Sequence, residues 1–431
     1  MMPRFLHGAA RRCAVIALCA GAGLSARAAP VEPVQSLAAG EKAAFLETLE
    51  ALVSIETGSE DREGLDKISA LIAERLTALG GQVELIEPDP PPADRLADLP
   101  KRIGRMVEAR FTGTGTKRIL LIAHMDTVYH RGMLEKQPFR LDGNRAYGLG
   151  ISDDKAGIAV ILHTLAILKA MNFRDYGQVT VLINADEEIG SYGSRATITR
   201  LGGESDAVFS HEGSPIKPDR LSLTTAGIGS VLLSVEGRAS HAGSSPERGR
   251  NALYELAHQI LQMRDLSDDA AGIKLNWTMA SAGSNRNVIP AMASAVADVR
   301  VRRVADFDTI EAKVRERVKN QLIPDTKVEV AFRRGRPPLE LTAVAQALAH
   351  HAQHVYAEIG HELEVNDVAA GGGTDAAYAA LKTKAPVIER FGLRGFGAHS
   401  NNAEYIDMNS IEPRLYLAAR MIMDVATGAT E

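Results

Sequence analysis

The chain has 431 residues, of which 45% are hydrophobic and 24% charged, and it carries a formal charge of −5 at pH 7. That length suits two domains with sizeable cores, and the composition excludes a disordered, collagenous or coiled-coil protein. An acidic chain without basic clusters also argues against a nucleic-acid or anionic-membrane partner.

At the start, Arg4, Arg11 and Arg12 precede an apolar run over residues 13–24, and Ser25, Ala26, Arg27 and Ala28 follow. A basic start, a short apolar centre and an Ala-x-Ala end read as a secretory signal over residues 1–28. The run is too short for a spanning helix, which needs roughly 20 apolar residues. A lipid anchor on Cys19 is the alternative, although Leu18 stands where a small residue is expected. Both cysteines, Cys13 and Cys19, lie in this segment, so the mature chain holds no thiolate and no disulfide. Its removal takes the formal charge to −9, because Arg4, Arg11, Arg12 and Arg27 leave with it. The expected location is secreted or periplasmic, with no membrane insertion after cleavage.

Residues 41–55 and 64–79 carry apolar side chains at helical spacing, and Gly80 and Gly81 supply a stop. Residues 118–123 form a short apolar run rich in branched side chains, as a buried strand does. Residues 157–171 read as a helix, 179–183 as a second buried strand and 207–210 as a third. Strands alternating with helices predict an α/β fold around a mainly parallel sheet. From Ala226 the pattern changes. Half-buried strands over 229–235, 275–280 and 294–302, with helices over 252–263 and 307–322, suit a small α+β sheet with helices on one face. Past Pro337 and Pro338 the first pattern resumes, with a turn at Gly371, Gly372 and Gly373 and a closing helix over 411–425. The predicted organisation is therefore a discontinuous catalytic domain, 29–225 and 338–431, interrupted by a small inserted domain, 226–337.

Acidic and imidazole groups gather at the ends of the predicted strands. His124, Met125 and Asp126 follow the first strand; Ser152, Asp153, Asp154 and Lys155 precede a helix; Asp186, Glu187 and Glu188 follow the second strand. Open parallel sheets collect their sites at the carboxyl ends of strands, so the placement itself is informative. Glu212 after the third strand and His399, in Gly397-Ala398-His399-Ser400, complete a set of two imidazoles and three carboxylates that fits zinc or a similar ion. Asp126 is placed to orient His124. His211 adjoins Glu212, and either is a candidate ligand on sequence alone; Met125 reads as packing.

These motifs, together with Ser240-His241-Ala242-Gly243 and Gly371-Gly372-Gly373-Thr374-Asp375, resemble the dinuclear zinc peptidases. That family includes aminoacylases, succinyl-diaminopimelate desuccinylase and, with the strongest likeness, the folate-cleaving glutamate carboxypeptidases of the carboxypeptidase G type. The resemblance implies two zinc ions per subunit. His124 and Glu212 would hold one and Glu188 and His399 the other, with Asp153 as bridge and Glu187 as general base. It further implies that His241 stabilises the oxyanion from the small domain of a partner subunit, making a homodimer, and that Asn287 and Arg300 hold the substrate's terminal carboxylate. Arg220, where the glutamate carboxypeptidases have lysine, and Arg336, in Gly335-Arg336-Pro337, are candidates for a second substrate carboxylate, which must be paired when buried. Two cations roughly 3.5–4 Å apart can lower the pKa of a shared water and polarise a scissile carbonyl. Glu187 is expected on an extended segment, turned to the side opposite Glu188. The function that follows is release of a C-terminal glutamate from folate-like or other N-acyl glutamates, and the expected partner is a small-molecule N-acyl amino acid or peptide substrate. The alternatives are an aminoacylase or dipeptidase of the same family, or a non-catalytic secreted binding protein.

Overall fold

The run over residues 118–123 is a strand, Arg118–His124, in the middle of a six-stranded sheet. The structure is a computed structural model that describes residues 29–90, 100, 102–400 and 403–430. The signal segment expected over residues 1–28 lies outside the described residues. The sheet runs Gln82–Ile86, Met106–Thr112, Gln178–Asn184, Arg118–His124, Ala207–Ser210 and Val387–Ile388. The last four are mutually parallel, and Met106–Thr112 runs against both its neighbours. The period-2 rule sorts the central strand: Ile119, Leu121 and Ala123 join one core layer, while Leu120 and Ile122 join the other. Helices Ala156–Ala170 and Ile411–Thr427, buried along most of their length, cover the first face. Arg195–Gly203 and Ala376–Ala380 cover the second. All four parallel strands end on one edge, where His124 lies opposite Asn184.

Residues 227–334 form a second, antiparallel sheet in the order Lys274–Ala282, Met292–Val301, Gly227–Glu236 and Lys327–Arg334. Val231, Leu233, Val235, Ala295, Ala297 and Val299 alternate onto one face, against helices Ala252–Gln262 and Val304–Arg317. The chain leaves and re-enters the larger body side by side, with the Ile228 N–H on the Arg336 carbonyl at 2.8 Å and the Gly335 N–H on the Ile228 carbonyl at 2.9 Å.

Candidate metal centre and active site

His124 ends its strand with the ring buried, and its Nδ1 faces the Asp126 carbonyl at 3.1 Å and Asp126 Oδ1 at 3.4 Å. That contact turns Nε2 outward, to within 3.0 Å of Asp153 Oδ1 and 3.5 Å of Glu212 Oε1. The other oxygen of Asp153, Oδ2, lies 3.3 Å from His399 Nε2, which is 3.0 Å from Glu188 Oε2. A single carboxylate thus presents one oxygen to each histidine. Among the described residues, the side chains close enough to share an ion form two groups: His124, Asp154 and Glu212, and Asp153, Glu188 and His399.

The loop carrying Asp153 turns at Gly150, at φ 69°, and the Asp153–Asp154 peptide is cis. The backbone N–H groups of Gly150, Ser152 and Asp153 donate to the Glu404 carboxylate at 2.9, 2.8 and 3.1 Å, and the Tyr129 hydroxyl donates to it at 2.5 Å. Burial holds the Glu404 carboxyl up at about 7. Asp126 is as heavily engaged. It accepts the N–H groups of Glu187 and Glu188 at 3.0 and 3.2 Å and the Ser59 hydroxyl at 2.8 Å.

The donor set fits a borderline divalent cation. Burial, with Glu212 adding to it at Asp154 and Asp153 at Glu212, pushes both carboxyls well above the ordinary range. One oxygen of Asp154 is buried without a hydrogen-bond partner. Burial works the same way on Asp153, yet its bonds to His124 and His399 hold it below the ordinary value. Clustered, desolvated negative charge of this kind is stabilised by a cation, and imidazole with carboxylate oxygen is a zinc-type donor set. His211 stands apart from both groups. Its ring packs 6.0 Å from Phe391, and burial drives its pKa down to about 3.

Glu187 departs from the extended conformation expected for it: residues Glu187–Ile189 make one 3₁₀ turn, closed by Gly190 at φ 96°. The successive Glu187 and Glu188 N–H groups both donate to Asp126, which tightens the chain there. Arg336, buried, donates through Nη1 to Glu187 Oε1 and through Nη2 to the Glu187 carbonyl at 2.7 Å and Ser191 Oγ at 3.1 Å. Glu187 Oε2 has no hydrogen bond among the described residues. Glu187 lines a cavity of about 450 Å³ together with Asp153, Glu188, Glu212 and His399.

The remaining sequence candidates sit elsewhere. Arg300 grips Asp298 through Nε and Nη2, both at 2.9 Å, and reaches the Gly371 carbonyl at 3.1 Å. Arg220 pairs with Glu364 at 3.7 Å. His241 is exposed on the short antiparallel pair formed by Ser240–His241 and Val288–Ile289. The Gly243 and Ser244 N–H groups both donate to its Nδ1 at 3.1 Å, which leaves Nε2 to carry the proton in the neutral ring. Asn287 is exposed beside it, its carbonyl accepting the Ala242 N–H at 2.9 Å. No hydrogen bond or ion pair among the described residues ties His241 or Asn287 to the two acidic groups. Asp154 stands in the acidic cluster named from the sequence but was given no role there, while Glu404 and Arg390, which lines the cavity, carried no signal in the sequence.

A sequence model of Peptidase family M20/M25/M40 matches residues 120–424. Carboxypeptidase G2 of Pseudomonas sp. (strain RS-16) is 44% identical over 391 residues, covering 91% of both chains. Among solved structures, aminopeptidase PepT from Bacillus cereus ATCC 10987 superposes with a TM-score of 0.73 at 21% identity, covering 89% of this chain and 99% of that one. A Bacillus subtilis protein described as a dinuclear metal binding peptidase from M20 family gives 0.63 at 16% identity, over 91% and 99%.

Proposed function

We propose that this chain, which belongs to peptidase family M20/M25/M40, releases a C-terminal glutamate from folate-like or other N-acyl glutamates. It is an amide-bond hydrolase of the metallopeptidase, carboxypeptidase type. The finer reading has two zinc ions, one on His124 and Glu212, the other on Glu188 and His399, with Asp153 between them. The observation that carries it is Asp153 itself, whose Oδ1 faces one histidine and Oδ2 the other. The name of the Bacillus subtilis structure supports two ions, and that of the Pseudomonas relative supports the carboxypeptidase chemistry.

When bound, such ions supply Lewis-acid polarisation of the carbonyl and lower the pKa of water. The chain does the rest. Arg336 fixes Glu187 Oε1, so Oε2 is the oxygen left to take a proton from water and pass it to the departing nitrogen. A pinned Nδ1 makes His241 a donor through Nε2, suited to the oxyanion. Its separation from the acidic groups supports supply from a second subunit, and Asn287 and Arg300 would take the terminal carboxylate. Arg220 is a candidate for a second carboxylate, and Arg336 serves the base. The basic and apolar start of the chain supports export to the periplasm or medium.

The test is turnover of p-aminobenzoyl-glutamate against N-acetyl amino acids, with and without chelator, in parent and Glu187→Gln protein. Chelator should abolish turnover, and the variant should lose roughly 10²–10⁴-fold in kcat while keeping its metal. Hydrolysis of N-acetyl amino acids alone would move the reading to an aminoacylase. Unchanged activity in Glu187→Gln would remove the assigned base.

A further inference from the structure

We propose that Arg390 is the cation that recognises the side-chain carboxylate of the departing amino acid and gives this site its acidic preference. The inference rests on the amidohydrolase reading above and specifies which residue selects the substrate. Each of the four parallel strands delivers a functional side chain to the same sheet edge: His124, then Glu187 and Glu188, then Glu212. The fourth, Val387–Ile388, delivers Arg390. Among the described residues lining the 450 Å³ cavity, it is the sole lysine or arginine.

Its position is fixed from behind. The backbone stands at φ 73°, a conformation a non-glycine residue adopts only where the surroundings hold it. They do: the Arg390 carbonyl accepts Nη1 of the fully buried Arg414 at 2.8 Å, and Arg414 is ion-paired with Asp219. At the tip, Nη1 donates to the Gly213 carbonyl at 2.6 Å, beside Glu212. One corner of the guanidinium is therefore anchored. Nε and Nη2 have no hydrogen bond, and the group has no ion pair, among the described residues; neither atom is a buried, unpartnered one.

Those two N–H groups form the edge that grips a carboxylate side-on. Arg300 shows the grip in the same molecule, holding Asp298 through Nε and Nη2. In Arg390 that edge is open. The other arginines considered are engaged: Arg300 with Asp298, Arg220 with Glu364, and Arg336 with Glu187. A carboxylate entering a site walled by acidic side chains needs a paired cation, and a planar fork supplies two charge-assisted bonds at once.

The experiment compares kcat/KM for p-aminobenzoyl-glutamate and p-aminobenzoyl-glutamine in parent, Arg390→Asn and Arg390→Lys proteins, with metal content and melting temperature measured in each. Asparagine tolerates the left-handed backbone, which keeps the fold comparable. The expected result is a fall of roughly 10- to 100-fold in the glutamate-over-glutamine ratio in Arg390→Asn, through KM, with partial recovery in Arg390→Lys. A parent that prefers glutamate and a variant that keeps the full preference overturns the inference alone. Equal loss on both substrates with lower metal content also overturns it, since Arg390 would then merely balance the buried carboxyls of Glu212 and the adjoining Glu389, both of which its charge favours in the ionised form. A parent without preference for glutamate sinks the glutamate reading and this inference together.

Discussion

Each oxygen of Asp126 has its own duties. Oδ1 accepts the Glu187 N–H and faces His124 Nδ1, while Oδ2 accepts the Glu188 N–H and the Ser59 hydroxyl. One residue therefore orients a candidate ligand ring and the peptide that carries both base and ligand. Asp126→Asn puts an amide NH₂ against one of those donors. The expected outcome is a fall of roughly 10- to 100-fold in metal affinity, read by chelator competition. His124, Glu187, Glu188 and Glu212 were legible because each stands in a polar cluster at the end of an apolar run, and Asp153 because its acidic cluster stands just before a helix. Arg390 was not, since its strand has two residues and shows no periodicity. The role of Arg336 was hidden for another reason: no local pattern says that a guanidinium will meet a glutamate 149 positions earlier.

At the scale of elements, the loop bearing Asp153 is held by a glutamate from a different part of the chain. Glu404 accepts three of its N–H groups, so Glu404→Ala leaves those donors unpaired. Each unpaired buried group costs about 1–3 kcal/mol. The variant should melt several degrees lower and lose metal at lower chelator concentration; unchanged metal retention would show that the loop holds itself. The central strands announced themselves as branched apolar runs, and three strands of the antiparallel sheet by alternation; its fourth, Lys327–Arg334, was not read, because charged residues crowd both its ends. Strands Gln82–Ile86 and Met106–Thr112 did not, because Glu84, Glu108 and Arg110 interrupt the apolar pattern. The turn at Glu187 was misread as extended because its cause, paired bonds to Asp126, is a tertiary contact.

For the whole molecule, pH and metal should act in opposite senses. Burial pushes Asp186, Glu389 and Glu404 up to about 7. A carboxyl raised in the folded state binds more protons there than in the unfolded chain. Its effect is therefore a loss of stability as pH rises from about 4 to about 7, complete above that. His399, raised to about 10 by its bonds to Asp153 and Glu188, acts in the same direction. The chelated protein should thus melt higher at pH 5.5 than at pH 8.5. The metal-loaded protein should do the reverse, because protons compete with the ion for its ligands. Parallel thermal scans check both. The proposed homodimer makes a separate forecast: activity per chain should fall on dilution into the monomer range, and a monomer in sedimentation with full activity would exclude supply of His241 by a partner.

The order in which the site closes has a consequence for biosynthesis. The Tyr129 hydroxyl donates to the Ser400 carbonyl and to Glu404, 271 and 275 positions later, and the Val31 N–H reaches the Tyr416 hydroxyl, 385 positions on. Between the first acidic groups and His399 lies the whole of the antiparallel sheet. A nascent chain that has not yet emerged past Glu404 holds His124, Glu188 and their Asp126 support, but its Asp153 loop lacks the carboxylate that braces it, so the site is incomplete. Ion capture is in this sense a reading of completed synthesis. If the chain crosses a membrane unfolded, the pool that fills the site is the one on the far side, and the metal content of the mature protein reports that compartment rather than the cytosol.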